Sequence, residues 1–172
     1  MAADAEMASI QRQEPWDPSN RLRCLVQVAR LVLVTDAFGA LLAYRVQTAL
    51  GRAGRPVLSG IAHRVAMMWG QVSIGDPVLI EAGVLLPHGQ VVIDGFTEIG
   101  SGARIRPFVT IGLLERDIKG PTIGANVKIG TGAKVIGPVT VGDEATIGAN
   151  AVVVDDVAAG SVVVGAPAKP TR

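Results

Sequence analysis

The stretch Ile123-Gly124-Ala125-Asn126-Val127-Lys128-Ile129-Gly130-Thr131-Gly132-Ala133-Lys134-Val135 repeats one pattern every six residues. Each unit opens on a branched aliphatic, puts glycine second, and carries Val or Ala in its fifth place. Reading outward, the same unit opens at Ile74, Ile80, Leu86, Ile93, Ile99, Ile105 and Ile111, and downstream at Val141, Ile147, Val153 and the weaker Ala159. The fifth place is Val, Ala or Thr everywhere except Gln90 and Glu115. A period this strict predicts stacked β-coils, not a core of separate helices and strands. Three short strands joined by tight corners close one triangular turn, and turns stack at about 4.8 Å. The fourteen units therefore make nearly five turns. The second-place glycine is expected at a corner, where positive φ or close backbone approach is needed.

Composition narrows the function classes. Of 172 residues, 49% are apolar and only 3% aromatic, which suits a narrow interior of stacked Ile, Val, Leu and Ala. Sixteen basic and fifteen acidic residues leave a net charge of +1. No basic stripe with interleaved aromatics is present, so nucleic acid is excluded as a partner. The lone Cys24 forms no intrachain disulfide, and a reducing cytoplasm is the expected compartment. The N-terminal segment lacks a charged-then-apolar signal pattern. Arg30, Asp36 and Arg45 interrupt the apolar stretch after it too soon for a membrane span.

Residues 1–18 read as a flexible tail, with Pro15 and Pro18 discouraging helix. Residues 19–70 read as helical. Ser19 or Asn20 would cap a first helix to about Val34, and Thr35 or Asp36 a second through Leu50. A third after Pro56 presents Leu58, Ile61, Ala62, Val65, Met68 and Trp69 on one face. These faces are expected to pack on one another, on the first coil and on a neighbouring subunit. At Gln71 the period becomes hexameric, so the coil domain is expected over 71–165. The tail 166–172 is expected to leave the coil without adding a strand.

The period breaks twice. Leu86 and Ile93 are seven apart, and the extra residue falls in Pro87-His88-Gly89-Gln90, where a bulge would turn a side chain outward. Between Ile111 and Ile123 a charged run, Glu115-Arg116-Asp117-Ile118-Lys119, reads as a loop extruded from a corner. Counted three units to a turn, the two breaks lie on different corners. The cleft between adjacent prisms of a trimer would bring such corners together.

Further local features are Ala43-Tyr44-Arg45-Val46, Gln71-Val72, and Leu86-Pro87-His88 with Val91-Val92-Ile93. Val109-Thr110-Ile111-Gly112 stands before the loop, Gly132-Ala133-Lys134-Val135 after it, and Val164-Gly165-Ala166-Pro167-Ala168-Lys169 at the end. Together with the hexads they resemble the serine acetyltransferase branch of the hexapeptide-repeat acyltransferases over about residues 40–170. The resemblance implies a mainly β protein, a left-handed parallel β-helix preceded by a short α-helical segment. It implies a homotrimer, or two such trimers paired, holding acetyl-CoA between subunits, with no metal. His88 is then the catalytic base, and Gly112, Gly132, Ala133, Lys134 and Lys169 meet the coenzyme. Three positions depart from the family. The aspartate that orients the histidine is matched by Ser73, and the aspartate preceding that histidine by Pro87. A second histidine beside an arginine is matched by Gly120 beside Lys119. These departures imply an acceptor other than serine, a sugar hydroxyl or other small molecule; true serine O-acetylation is the alternative.

Acyl transfer from a thioester to a hydroxyl needs a base that works near neutrality, which imidazole supplies. Backbone N–H groups near Gly112 or Gly132 are candidate oxyanion donors. The group that orients His88 is Ser73 by alignment, or Asp76, Glu81 or Asp94 by proximity along the coil. Pro87, Arg116 and Lys119, with Glu115 and Asp117, are candidates for holding the acceptor. Lys134 and Lys169 are candidate phosphate contacts. His63, beside an apolar helix face, reads as structural. A non-catalytic trimeric scaffold is the competing class. A zinc site between subunits, another use of this fold, needs about three histidines, and only His63 and His88 exist.

Overall fold

The computed structural model describes residues 1–17, 19–35 and 37–171; Pro18 and the candidate cap Asp36 lie outside these. Four helices come first: α1 (Ala2–Gln11), α2 (Arg21–Val34), α3 (Phe38–Arg52) and α4 (Pro56–Gly70). The strands follow as β1 (Val72–Ile74), β2 (Leu79–Ile80), β3 (Val91–Ile93), β4 (Phe96–Ile99), β5 (Arg104–Ile105), β6 (Thr110–Gly112) and β7 (Lys119–Ile123). After them run β8 (Lys128–Ile129), β9 (Lys134–Ile136), β10 (Thr140–Val141), β11 (Thr146–Ile147), β12 (Val152–Val153), β13 (Val162–Val164) and β14 (Lys169–Pro170). Strands one coil apart pair in parallel, giving a first face β1-β3-β6-β9-β12, a second β2-β4-β7-β10 and a third β5-β8-β11-β13.

The hexads form this prism because each opener points inward onto the opener of the next coil. The thirteen branched openers from Ile74 to Val153 are all buried, and each contributes about 1.5–3 kcal/mol. Register follows the period: Ile93 stacks on Ile74, Ile111 on Ile93 and Val135 on Ile111. The fourteenth unit departs from expectation. Ala159 is exposed, and Val157 takes its place, bridging to Val141. The chain around Asp155 and Asp156 shortens that side, so the phase moves by two residues and Val163 stacks on Ile147.

Most second-place glycines serve close approach, not positive φ; Gly160, with φ of 66°, is an exception. A Cβ at Gly130 would lie 2.6 Å from the Ala149 nitrogen of the coil above, closer than real Cβ atoms come. Positive φ falls instead on the fourth place, at Gly102, Asn126, Gly132, Glu144 and Asn150. Glycine and asparagine tolerate that conformation best.

The helices close the prism's first end, where strand edges would otherwise stay unpaired. The Tyr44 hydroxyl of α3 donates to the Val78 carbonyl at 2.8 Å and accepts the Ile80 N–H at 3.2 Å. Arg45 donates to the carbonyls of Ile80 and Glu81. Asn20 caps α2 as expected, accepting from Leu22 and Arg23 N–H at 3.0 and 3.1 Å. Helix α4 is turned opposite to a simple amphipathic reading. Its small residues Ser59, Ala66 and Gly70 are buried, while Ile61, Val65, Met68 and Trp69 are exposed. Small side chains let α4 lie close to α3, and the larger face is left uncovered by this chain.

Both tails are ordered. Residues 2–11, expected to be flexible, form α1, which buries Ala5 and Ala8 against Leu31, Phe38 and Leu85. Asp4 anchors it: Oδ1 accepts the Gly83 N–H at 2.9 Å and pairs with Arg45 at 3.0 Å. At the other end β14 adds an antiparallel strand to β13, contrary to the expected tail, because Thr171 N–H donates back to Val162 at 2.8 Å. Among the described residues no single helix is long and apolar enough to cross a membrane.

Burial pushes the Asp4 carboxyl up, but the hydrogen bonds and charges of Arg45 and the N-terminal ammonium outweigh it and hold it below its ordinary value. A depressed carboxyl stabilises the fold above its unfolded pKa of about 3.9 and loses that stabilisation as pH falls through the native value. Asp4→Asn is therefore expected to cost about 3 kcal/mol at pH 7 and to flatten the fall in stability below about pH 4. Urea unfolding at pH 7 and pH 3.5 measures both; equal acid sensitivity in the variant would show that Asp4 is not the latch.

Candidate active site

The corner by which each coil enters the first face is built from stacked left-handed residues. Gln71, Gln90, Phe108 and Gly132 have φ of 51°, 63°, 63° and 75°. Gln90 N–H donates to the Gln71 carbonyl at 2.8 Å, Phe108 N–H to Gln90 at 2.9 Å, and Gly132 N–H to Pro107 at 3.0 Å. His88 stands on this ladder at the extra residue of the seven-residue step. The bend passes so close to the end of α4 that a Cβ at Gly89 would run into the Gly70 carbonyl. His88 is exposed there.

Two clefts meet at His88. The larger, about 550 Å³, lies between the α2 C-terminus, the α4–β1 junction and the next coil, with Val32, Leu33, Thr35, Trp69 and Phe108 in its walls. Among the described residues no Asp, Glu, Lys or Arg lines it. The smaller, about 200 Å³, lies on the other side under α1, lined by Ala8, Gln11, Arg12, Thr35, Leu85, Pro87 and His88. Thr35 belongs to both walls, and its Oγ1 is buried without a hydrogen-bond partner. Phe108 holds a left-handed conformation unusual for a bulky side chain while its ring is largely exposed. Strain of this kind costs on the order of 1–3 kcal/mol and persists where surroundings enforce it.

The residues singled out by sequence divide between two corners. His88, Pro87, Gly132 and Lys134 share the entry corner. The Lys134 ammonium donates to the carbonyls of Phe108 at 2.8 Å and Gly132 at 3.1 Å, two coils above the histidine bend. Asp94, Gly112, Arg116 and Lys119 lie at the exit corner of the first face, a strand's length away. Ser73 is half-buried in β1, paired with Val92. Ala133 is fully buried with its methyl among the core side chains, so only its backbone can face a ligand. Lys169 is ion-paired with Asp155 at 3.5 Å, both exposed. Arg116 and Glu115 are exposed and 3.9 Å apart.

The candidate orienting carboxylates have structural partners. Asp94 Oδ1 accepts the N–H of Gly95 at 2.8 Å, at the far end of β3 from His88. Glu81 Oε2 accepts Ser101 N–H at 2.8 Å, and Asp76 Oδ1 accepts from Gln47 at 2.6 Å. Each holds a corner or a helix in place, and none of the three lines either cleft at the histidine. His63 lies within α4, away from both clefts. Among the described residues no group of three or more His, Cys, Asp or Glu could hold a metal ion.

Sequence reasoning missed four wall residues. Phe108 was legible as the bulky aromatic standing where sister coils have Gly132 or Asn150. Trp69 was read as part of a packed helix face. Thr35 and Arg12 carry no local signal, because only the packing of α1 and the α2–α3 turn onto the prism brings them to His88.

A triangular prism of hexads with an exposed histidine at a cleft defines the class as a left-handed β-helix transferase. The family described as bacterial transferase hexapeptide (six repeats) matches residues 120–155. A serine acetyltransferase of Helicobacter pylori strain J99 is 37% identical over 165 residues, covering 94% of this chain and 93% of the relative. The chain belongs to the serine acetyltransferase family, and the protein is an acyltransferase. The serine acetyltransferase of Neisseria gonorrhoeae in complex with serine superposes with a TM-score of 0.82 at 28% identity, over 99% of this chain and 68% of that one. A serine acetyltransferase in complex with CoA gives 0.81 at 26% identity, over 98% and 67%.

Gly89→Ala is expected to lift the histidine bend off the Gly70 carbonyl, costing about 1–3 kcal/mol and lowering acetyl transfer at least tenfold. Thermal unfolding and a steady-state assay check this; unchanged turnover would show that the bend does not aim His88.

Proposed function

We propose that this protein is an acetyl-CoA-dependent serine O-acetyltransferase, acting as a homotrimer with His88 as general base. The observation that carries the reading is the position of His88 between a cleft lined, among the described residues, by no Asp, Glu, Lys or Arg and a smaller one that contains Arg12, in a chain so similar to serine acetyltransferases. The larger cleft, with Val32, Leu33, Trp69 and Phe108 in its walls, suits the neutral pantetheine arm, which would run up the entry corner past Phe108 to Gly132 and Lys134. Lys134 has three donor protons and two carbonyl partners, which leaves one for a phosphate oxygen. Serine would occupy the smaller cavity with its hydroxyl at His88.

His88 takes the hydroxyl proton as the oxygen attacks the thioester carbonyl. Collapse of the tetrahedral intermediate breaks the carbon–sulfur bond, and the imidazolium returns its proton to the departing thiolate. The products are O-acetylserine and free CoA. The N–H groups of Gly132, Ala133 and Lys134 are bonded to the carbonyls of Pro107, Gly130 and Ala151, two coils above the histidine bend, so they are not free to meet the oxyanion.

Gly112, Arg116 and Lys119 would act through a neighbouring copy whose exit corner faces this entry corner. Gly112 favours such a role, because a Cβ there would meet nothing within 4 Å, unlike most second-place glycines. Coil packing therefore does not require glycine at that position, although the residue is buried within this chain. The exposed apolar face of α4 would be covered by further association, including pairing of trimers.

A second reading, transfer to a saccharide or other uncharged hydroxyl, is favoured by one feature. A side chain at Gly120 would run into Thr97 Oγ1, which donates to the Asp94 carbonyl at 2.7 Å. The second histidine of the family resemblance has no room there.

Acetyl-CoA consumption is expected with L-serine and not with amino sugars or saccharides. His88→Ala is expected to reduce turnover by about 10²–10⁴-fold while calorimetry shows CoA still bound. Saccharide turnover without serine turnover would favour the second reading, and full activity in His88→Ala would remove the base.

A further inference from the structure

We infer that Arg12 is the residue that recognises the carboxylate of the acceptor, a specificity role carried by the N-terminal helix. This rests on the serine reading. Serine carries a carboxylate and an ammonium besides its hydroxyl, and a site that discriminates for it must answer both charges. The loop cations Arg116 and Lys119 lie at the exit corner, a strand's length from His88 in the same chain, and would reach this corner only from a neighbouring copy, so Arg12 is the cation this chain itself places at the cavity. In the smaller cavity Arg12 is the one Lys or Arg among the described lining residues. It stands at the C-terminal end of α1, on the same walls as Pro87 and His88.

The local charge balance leaves this arginine able to take an anion. Glu14 is its neighbour: Arg12 Nε donates to Glu14 Oε1 at 2.9 Å. The same carboxylate also accepts from both terminal nitrogens of Arg30 at 3.3 Å. Two guanidiniums thus share one carboxylate, so Glu14 does not saturate Arg12. Arg12 uses its Nε for Glu14, which leaves the forked Nη pair, the geometry that grips a carboxylate in a bidentate way. Arginine at such a site is not replaced by lysine without loss.

An independent observation points to a polar ligand in the same place. Thr35 Oγ1 is buried without a hydrogen-bond partner in the wall shared by both clefts. Buried hydroxyls are nearly always paired, so one left alone beside a base is a candidate for completion by substrate. An acceptor ammonium would supply that partner after a rotamer change. Gln11, the remaining polar side chain of the α1 wall, lies next to Arg12.

Steady-state kinetics of the full chain with L-serine and with serinamide, which lacks the carboxylate, test the inference. Arg12→Gln is expected to raise KM for L-serine about tenfold to a hundredfold and to leave KM for acetyl-CoA and for serinamide unchanged. Arg12→Lys, which keeps the charge and controls for folding of α1, is expected to fall between. Glu14→Gln, which removes the counter-charge, is expected to lower KM for serine. An unchanged serine KM in Arg12→Gln, or an equal rise for serine and serinamide, overturns the role of Arg12 while leaving serine acetylation in place. A wild-type enzyme without serine turnover overturns the serine reading and this inference with it.

Discussion

Backbone laid directly on backbone is the constraint on which the prism depends. Each coil hydrogen-bonds to the next through N–H to carbonyl contacts of about 2.8–3.1 Å, such as Thr110 to Ala133 and Gly130 to Ile147. That spacing leaves no room for a Cβ where a second-place residue meets the turn above, as at Gly130 and Gly142. The interior must also be filled by side chains of nearly constant volume, which is why Ile, Val and Ala recur with almost no aromatic among them. Rigidity follows, and it has a cost for function. A regular prism offers smooth faces with nothing to hold a substrate, so chemistry has to be built from departures in the repeat or from elements packed against it.

The protein uses both. The seven-residue step raises His88 out of the entry corner, and the coil above contributes Phe108 in a backbone conformation that the two coils above it give to Gly132 and Asn150. The helices supply the rest. Their first task is to satisfy the exposed edge of the opening coil, through Tyr44, Arg45 and Asp4. Fixing α1 and α3 there carries the end of α1 and the α2–α3 turn to the side of the histidine. Thr35 and Arg12 reach the smaller cavity as a consequence of edge capping, so stability of the prism end and composition of that cavity are linked through one buried ion pair.

What the sequence disclosed follows from where information is local. Register, face assignment and the burial of every opener from Ile74 to Val153 were legible, because a six-residue period leaves one way to stack. Asn20 was legible as a cap for the same reason: an N-cap is a contact between neighbours in the chain. Three features were not. Helix α1 looked like a tail because its buried apolar residues are alanines, which carry little hydropathy signal, and because Asp4 meets Arg45 across forty-one positions. The loss of two residues around Asp155 hid the shift from Ala159 to Val157, since both are small enough to occupy an inward place. The outward turn of α4 was hidden by the assumption that the larger apolar face is the buried one, when close packing on α3 needs small residues.

The carboxylates teach a related point about reading coil proteins. Asp76, Glu81 and Asp94 invited a catalytic interpretation because they stand near the histidine in sequence, yet each accepts a hydrogen bond that holds a corner or a helix in place. Asp143 and Asp156 do the same, accepting the N–H groups of Ala125 and Thr140 at 2.8 and 2.7 Å. Corners of a β-helix expose N–H groups that the ladder cannot pair, and a short acidic side chain from the adjacent coil is well sized to accept them. In such a fold an acidic residue at a corner is therefore a cap unless its oxygens point elsewhere. Cations cap carbonyls too, as Lys134 does for Phe108 and Gly132 and Arg45 for Ile80 and Glu81, but among the described residues the partner of Arg12 is a carboxylate and not a carbonyl. A guanidinium drawn up beside the one histidine of the coil, already sharing its carboxylate with a second arginine, is thus the more informative charge in this molecule.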